Sequence, residues 1–147
     1  MKIAFGSDHA GYRLKRTVLD HLAALGHDCV DCGADTDDMP ASYVPAAVAV
    51  AGLVNRGEAR FGVLVCGTGL GISISANKID GIRAALCTNE YMARMARQHN
   101  DANILALGSR VVGTGLACYI ADAFLDEAFE TGGRHQVRVN EMMSLEG

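Results

Sequence analysis

Apolar runs rich in β-branched residues alternate with helix-period patterns along the whole chain. Lys2–Ser7 reads as a first strand. A helix follows from about Ala10 to Leu25, with Leu14, Val18, Leu22 and Leu25 on one face and Arg13, Arg16 and Asp20 elsewhere. Gly26 stands where a helix-ending glycine belongs. His27–Asp31 is a short second strand, and Gly33–Ser42 is a polar loop. Pro45 then opens an almost wholly apolar helix that closes at Gly57. Phe61–Cys66 is continuously apolar, as in a strand buried on both faces. Gly67-Thr68-Gly69-Leu70-Gly71 leads into a short helix through Ala76. Arg83–Cys87, Glu90–His99 and Asn103–Leu107 read as strand, helix and strand. A helix from about Val112 to Phe129 puts Val112, Leu116, Ala123 and Phe124 toward one side. Gly132-Gly133 breaks it, and Arg134–Leu145 is a terminal helix.

Five strands separated by helices predict an α/β fold: a three-layer αβα sandwich, Rossmann-like, with a five-stranded parallel sheet and a C-terminal helix. Ligands of such folds bind beyond the carboxyl ends of the strands. That rule sets Asp8, His9, Cys66, Thr68 and Gly108-Ser109-Arg110 along one rim.

Composition narrows the picture. The 147 residues suit one domain spanning 1–147, and half of them are hydrophobic, which excludes a disordered chain. A net charge of −4 gives no electrostatic reason to expect nucleic acid or an anionic membrane as partner. The most apolar run, Val44–Val54, is too short to span a bilayer. No apolar leader precedes the first strand, so the expected location is cytoplasmic. Five cysteines in that setting do not suggest a disulfide framework.

Cys66 is the first candidate for chemistry. It ends an apolar strand and is followed by glycines at 67, 69 and 71, which free the backbone to curl its N–H groups toward a ligand. The helix that then begins adds the positive end of its dipole. Such surroundings favour a thiolate. The plainer alternative, a small hydrophobe packed in a strand, does not account for the glycines. Two familiar loops fail the comparison. A dinucleotide fingerprint needs its third glycine three residues after the second and an acid about 20 residues on. A tyrosine-phosphatase-like loop needs an arginine where Ile72 stands.

Asp8-His9 follows the first strand, with a helix cap as the plain role for Asp8. Arg97-Gln98-His99-Asn100 ends a helix, where Asn100 suits a left-handed cap and His99 complements the dipole. Arg134 and Arg138 share one helix face. With Arg110 they form a candidate phosphate cluster if the Gly-Gly break lets the last helix swing over the rim. Cys29 and Cys32 lie three apart in extended chain, so they point to opposite faces and suit neither zinc nor a redox pair. Cys87 and Cys118 read as core. Met92, Met95, Met142 and Met143 read as packing residues.

Gly6-Ser7-Asp8-His9-Ala10-Gly11, Cys66-Gly67-Thr68-Gly69-Leu70-Gly71-Ile72-Ser73, Ala76-Asn77-Lys78, Arg97-Gln98-His99-Asn100, Gly108-Ser109-Arg110 and Gly133-Arg134-His135-Gln136 together resemble the ribose-5-phosphate isomerase B family, which includes the galactose-6-phosphate isomerase subunits. The resemblance covers essentially the whole chain. It implies an aldose–ketose isomerase with no metal or organic cofactor. Cys66 would move a proton between C1 and C2 through a cis-enediolate, with Thr68 assisting. Gly67, Thr68, Gly69, Leu70 and Gly71 would donate N–H groups to the enediolate oxygens. His99 would open the furanose ring. Asp8 and Asn100 would hold sugar hydroxyls, and His9, Arg110, Arg134 and Arg138 would bind the phosphate. Some members carry a glutamate at the position of Ile72 in place of this cysteine, so the chain is of the cysteine type.

The resemblance also implies a homodimer, or a dimer of dimers, with sites shared between chains. The family's Asp-Tyr-Pro is here Ser42-Tyr43-Val44-Pro45, which removes a carboxylate and leaves Tyr43 to reach the site. Ribose 5-phosphate is the leading substrate on this reading. Allose, galactose and tetrulose phosphates, and a non-catalytic sugar-phosphate-binding module, are the alternatives.

Overall fold

A computed structural model describes residues 1–147. The elements are β1 (Lys2–Ser7), α1 (Tyr12–Ala24), β2 (Asp28–Asp31), α2 (Tyr43–Asn55), β3 (Phe61–Cys66), α3 (Leu70–Asn77), β4 (Ala84–Leu86), α4 (Glu90–Asn100), β5 (Ile104–Gly108), α5 (Thr114–Asp126) and α6 (Arg134–Met143). All strand pairs are parallel, in the order β2-β1-β3-β5-β4. The αβα sandwich expected from the alternating pattern is what forms.

Two apolar clusters sandwich the sheet. One joins α1, α4 and α5 to alternate residues of the strands, including Ile3, Phe5, Val63, Val65, Leu105 and Leu107. The other joins α2 and α3 to Ala4, Leu64, Cys66, Ile104 and Ala106. The period-2 alternation of a strand sends neighbours to opposite layers, which is why β3 and β5 must be apolar throughout. Cys29 packs on the first cluster and Cys32 on the second, so the pair is split as expected. β1 is followed by α1 on one face, and β3 by α3 on the other. The crevice between their carboxyl ends is therefore a topological switch point.

Several element ends differ from the sequence reading, each for a local reason. α2 begins at Tyr43, ahead of Pro45, because the Ser42 hydroxyl accepts from the Val44 N–H at 3.1 Å and caps the helix. Pro45 then lies in the first turn, where a missing N–H costs nothing. Leu25 follows the last turn of α1 and is 60% exposed instead of completing the buried stripe. α5 is shorter at both ends than expected, and its buried face is Ala117, Ile120, Ala121, Ala123 and Phe124, leaving Leu116 exposed. Asn100 remains helical; Asp101 takes the left-handed conformation instead, with φ 46°. Cys118 is only partly buried, and Met92 and Met142 are exposed.

Candidate functional site

The rim is built by three strand ends that hold one another through the backbone. Asp8 N–H donates to the Val65 carbonyl at 3.3 Å, Ser109 N–H to Cys66 at 2.9 Å, and Arg110 N–H to Gly67 at 2.9 Å. The Ser109 hydroxyl reaches back to the Ala10 carbonyl at 2.8 Å. Gly11 sits so close to β3 that a Cβ there would lie 2.2 Å from the Val65 carbonyl oxygen. Buried Asp8 accepts from the Gly11 N–H at 2.8 Å, which closes the turn before α1. Its capping role holds for this turn, although α1 proper starts later.

Cys66 is 3% exposed, and its Sγ accepts the Gly69 N–H at 3.1 Å. That bond needs the loop to double back over the sulfur, which Gly69 permits with φ 80°. A Cβ at Gly69 would stand 2.4 Å from Leu86. The Thr68 hydroxyl accepts the Leu70 N–H at 3.1 Å. Gly71 and Ile72 follow in the first turn of α3, where N–H groups have no carbonyl four residues back. The positive end of the α3 dipole lies with these N–H groups.

Asp8, His9, Tyr43, Cys66, Gly67, Thr68, Gly71 and Arg110 line a cavity of about 280 Å³, the volume of a small polar metabolite. The Tyr43 ring lies against Gly71, where a Cβ would meet its Cζ at 2.4 Å, and the Arg110 guanidinium lies over Gly67. His9 Nδ1 lies 3.1 Å from the Ala41 N and 3.3 Å from the Ala41 carbonyl oxygen, which ties the ring to the loop before α2 and leaves Nε2 without a protein partner.

His99, Asn100, Arg134 and Arg138 are not there. α4 starts at the carboxyl rim and runs back, so its last residues lie at the amino end of the sheet. The Asn100 carbonyl accepts from Arg83 Nε at 3.1 Å, and Arg83 immediately precedes β4. The length of β3 alone separates this end from Cys66 by roughly 17 Å. α6 packs on α4 and does not swing over the rim, so Arg134 and Arg138 do not join Arg110 within one chain. The reason lies in His135, which buries its ring by stacking on His99 with centroids 3.8 Å apart. Desolvation, with His99 and Arg134 beside it, holds the His135 imidazole below its ordinary pKa. The largest cavity, about 630 Å³, is also at this end and includes Asn100, Arg83 and the C-terminal residues, but no nucleophile.

In the sequence His135 stands out only as part of a motif, and Glu130, beside it, carries no signal. Nothing in the spacing of α4 and α6 announces a contact between them.

A Rossmann-like sheet that presents a thiol on a glycine-rich loop at the mouth of a small cavity, with an arginine and a histidine at its edge, is the architecture of a small-molecule enzyme. The chain belongs to the ribose/galactose isomerase family, whose model matches residues 3–142. It is 49% identical to ribose-5-phosphate isomerase B of Escherichia coli, over 99% of this chain and 96% of that protein. It is 42% identical to D-erythrulose-4-phosphate isomerase of Pectobacterium atrosepticum, over 90% and 88%. The solved structure of Clostridium thermocellum ribose-5-phosphate isomerase B superposes with a TM-score of 0.96 at 53% identity, over 99% and 97% of the two chains. The chain is thus a sugar-phosphate isomerase. No helix is long and apolar enough to cross a membrane.

Proposed function

We propose that the chain interconverts ribose 5-phosphate and ribulose 5-phosphate, in sites that each combine the rim of one copy with the His99 end of another. The observation that carries the chemistry is the Cys66 Sγ, held 3.1 Å from the Gly69 N–H at the floor of the 280 Å³ cavity. The thiolate takes the C2 proton of the open aldose and returns it to C1. The hydroxyl proton moves from O2 to O1, and the enediolate charge rests on the N–H groups of the loop. Thr68 assists from the loop, and Asp8 holds a sugar hydroxyl. His9 Nε2–H and Arg110 are the rim's donors to the phosphate.

Ring opening needs a base at O1–H and a proton at the ring oxygen. The rim offers no spare imidazole for this, because His9 is tied to Ala41. His99 supplies it from a second copy, together with Asn100 for a hydroxyl and Arg134 and Arg138 for the phosphate. A second copy is needed because these groups stand at the opposite end of their own sheet. The exposed apolar side chains Tyr43, Val44 and Val48 of α2, with Leu70 and Ile74 of α3, give such a copy a surface beside the rim. We read the assembly as a homodimer on this ground.

Ser42 gives a second substrate reading. It spends its hydroxyl on capping α2 and offers no carboxylate to a sugar, so a tetrose phosphate is the alternative to ribose 5-phosphate. Turnover of a panel of tetrose, pentose and hexose phosphates decides. The reading expects the highest kcat/KM on ribose 5-phosphate, and a higher value on a four-carbon substrate would replace it.

A further inference from the structure

His99 on α4, Glu130 in the α5–α6 connection and His135 in the first turn of α6 bring one donor atom each to within 4.8 Å of one another. Of the three, only His99 has a part in the isomerisation described above; Glu130 and His135 have none. His135 Nε2 and Glu130 Oε2 are 3.8 Å apart, and the two imidazole rings lie face to face. The segments that carry the donors are fastened together. Glu130 N–H donates to the Gln98 carbonyl at 3.1 Å, and Gln98 Nε2 donates to Glu127 at 2.6 Å. Glu127 also accepts from Arg94 at 2.9 Å, so the connection cannot drift from α4.

We propose that His99, Glu130 and His135 form a site for a divalent transition-metal ion of the zinc type, which inhibits the enzyme by occupying His99. Two imidazoles and one carboxylate are a donor set that zinc accepts with a fourth position left for water. Bonds of about 2.0–2.2 Å require tetrahedral donors about 3.3–3.6 Å apart. In the ion-free protein the two parallel rings hold their in-plane lone pairs in separate planes. Binding therefore requires the partly exposed His99 ring to turn out of the stack and the exposed Glu130 side chain to swing in, which brings donors now within 4.8 Å to bonding distance. Arg134 and Arg138 oppose the ion's charge but point no lone pair at it, and they favour an anion as the fourth ligand. The metal site stands on the three side chains alone, whereas its inhibitory effect rests on the ring-opening role given to His99.

The test is a calorimetric titration of the intact protein with zinc chloride, paired with turnover of ribose 5-phosphate. We expect one ion per chain, with turnover lost over the same range of free zinc and restored by EDTA. Glu130→Gln, an exposed substitution outside the catalytic set, should keep the zinc-free rate and weaken both binding and inhibition by at least 10-fold. His135→Gln should weaken binding further, with circular dichroism confirming its fold. Equal binding by the parent and Glu130→Gln would assign the ion to the free cysteines and overturn the site, as would no saturable binding. Binding that is sensitive to Glu130→Gln but leaves turnover untouched would uphold the site and remove His99 from the catalytic reading.

Discussion

At the carboxyl end of β3 the proposed base is held by main chain. Cys66 Sγ meets the Gly69 N–H, and the strand ends around it are joined by the carbonyls of Val65, Cys66 and Gly67. At the amino end of β4 the proposed ring-opening and phosphate groups are held by side chains. His99 stacks on His135, Arg83 binds the carbonyls of Asn100 and Asp101, and Arg97 lies buried over Phe61 with its guanidinium 2.9 Å from Asp101. A backbone cradle is rigid and suits transition-state stabilisation, where donors must not reorganise. Side chains on packed helices adapt more readily, which suits capture of a phosphate and a ring that must open. On the proposed reading neither end is sufficient by itself.

The largest effect follows from breaking each end in turn. Cys66→Ala should lower kcat about 10²–10⁴-fold, since a methyl cannot accept the proton, while isothermal titration still shows substrate binding. His99→Asn should lose cyclic substrate far more than an open-chain one. Mixing the two inactive variants under conditions that exchange subunits should restore about a quarter of the parental sites, because half the dimers then hold one intact pair. No recovery in a mixture shown by native mass spectrometry to contain heterodimers would place both residues in one chain's site.

How differently the two ends were legible in the sequence follows from the same contrast. A rim built by strand ends is visible in one dimension, since an apolar run followed by glycines marks both the strand and its loop. Asp8, His9, Cys66, Thr68 and Arg110, set on one rim by the strand pattern, do line one cavity. The amino-end group depends on which way a helix runs and what it packs on. Arg134 and Arg138 share a face by their spacing, yet the Gly132-Gly133 break does not say where that face goes. The stack of His135 on His99 decides it, and a contact across 36 residues leaves no periodic trace. Helix ends failed for smaller reasons: Ser42 capped α2 before the proline, and Asp101 took the left-handed turn assigned to Asn100.

The arginines give an intermediate effect. Arg134→Ala or Arg138→Ala should raise KM for ribose 5-phosphate and lower kcat/KM roughly 10-fold or more, the scale of one bond to a charged group. Both should leave the weak turnover of unphosphorylated ribose nearly unchanged, because the lost contact is to the phosphate. Arg110→Ala tests the other end against them. If phosphate bridges the two copies, the double variant Arg110→Ala/Arg134→Ala should lose less than the product of the single losses, since the two arginines share one ligand. Full multiplicativity would give them separate anions.

The smallest effect concerns what keeps the rim's outer wall in place. Lys15 is completely buried, yet its ammonium donates to Asp31 at 2.8 Å and to the Ala34 carbonyl, which ties α1 to the end of β2 and the loop beyond. That loop carries Ala41, the partner of His9. Burial acts to raise the Asp31 carboxyl, but the hydrogen bonds from Lys15 and Gly33, the Lys15 charge and the bond from Arg16 outweigh it and hold its pKa below the ordinary value. A carboxyl depressed in the fold contributes stability that is complete above its unfolded value of about 3.9 and disappears as pH falls through the folded value. Asp31→Asn should therefore cost about 1–2 kcal/mol in urea unfolding at pH 7, a charged hydrogen bond discounted for partial exposure. The difference between variant and parent should shrink below pH 4 and vanish once the parent is protonated too. Because the catalytic cradle is held by main chain, kcat should stay close to the parental value while KM rises slightly through His9. A large fall in kcat would mean that the backbone cradle itself depends on the Lys15–Asp31 tie, and the contrast between the two ends would narrow accordingly.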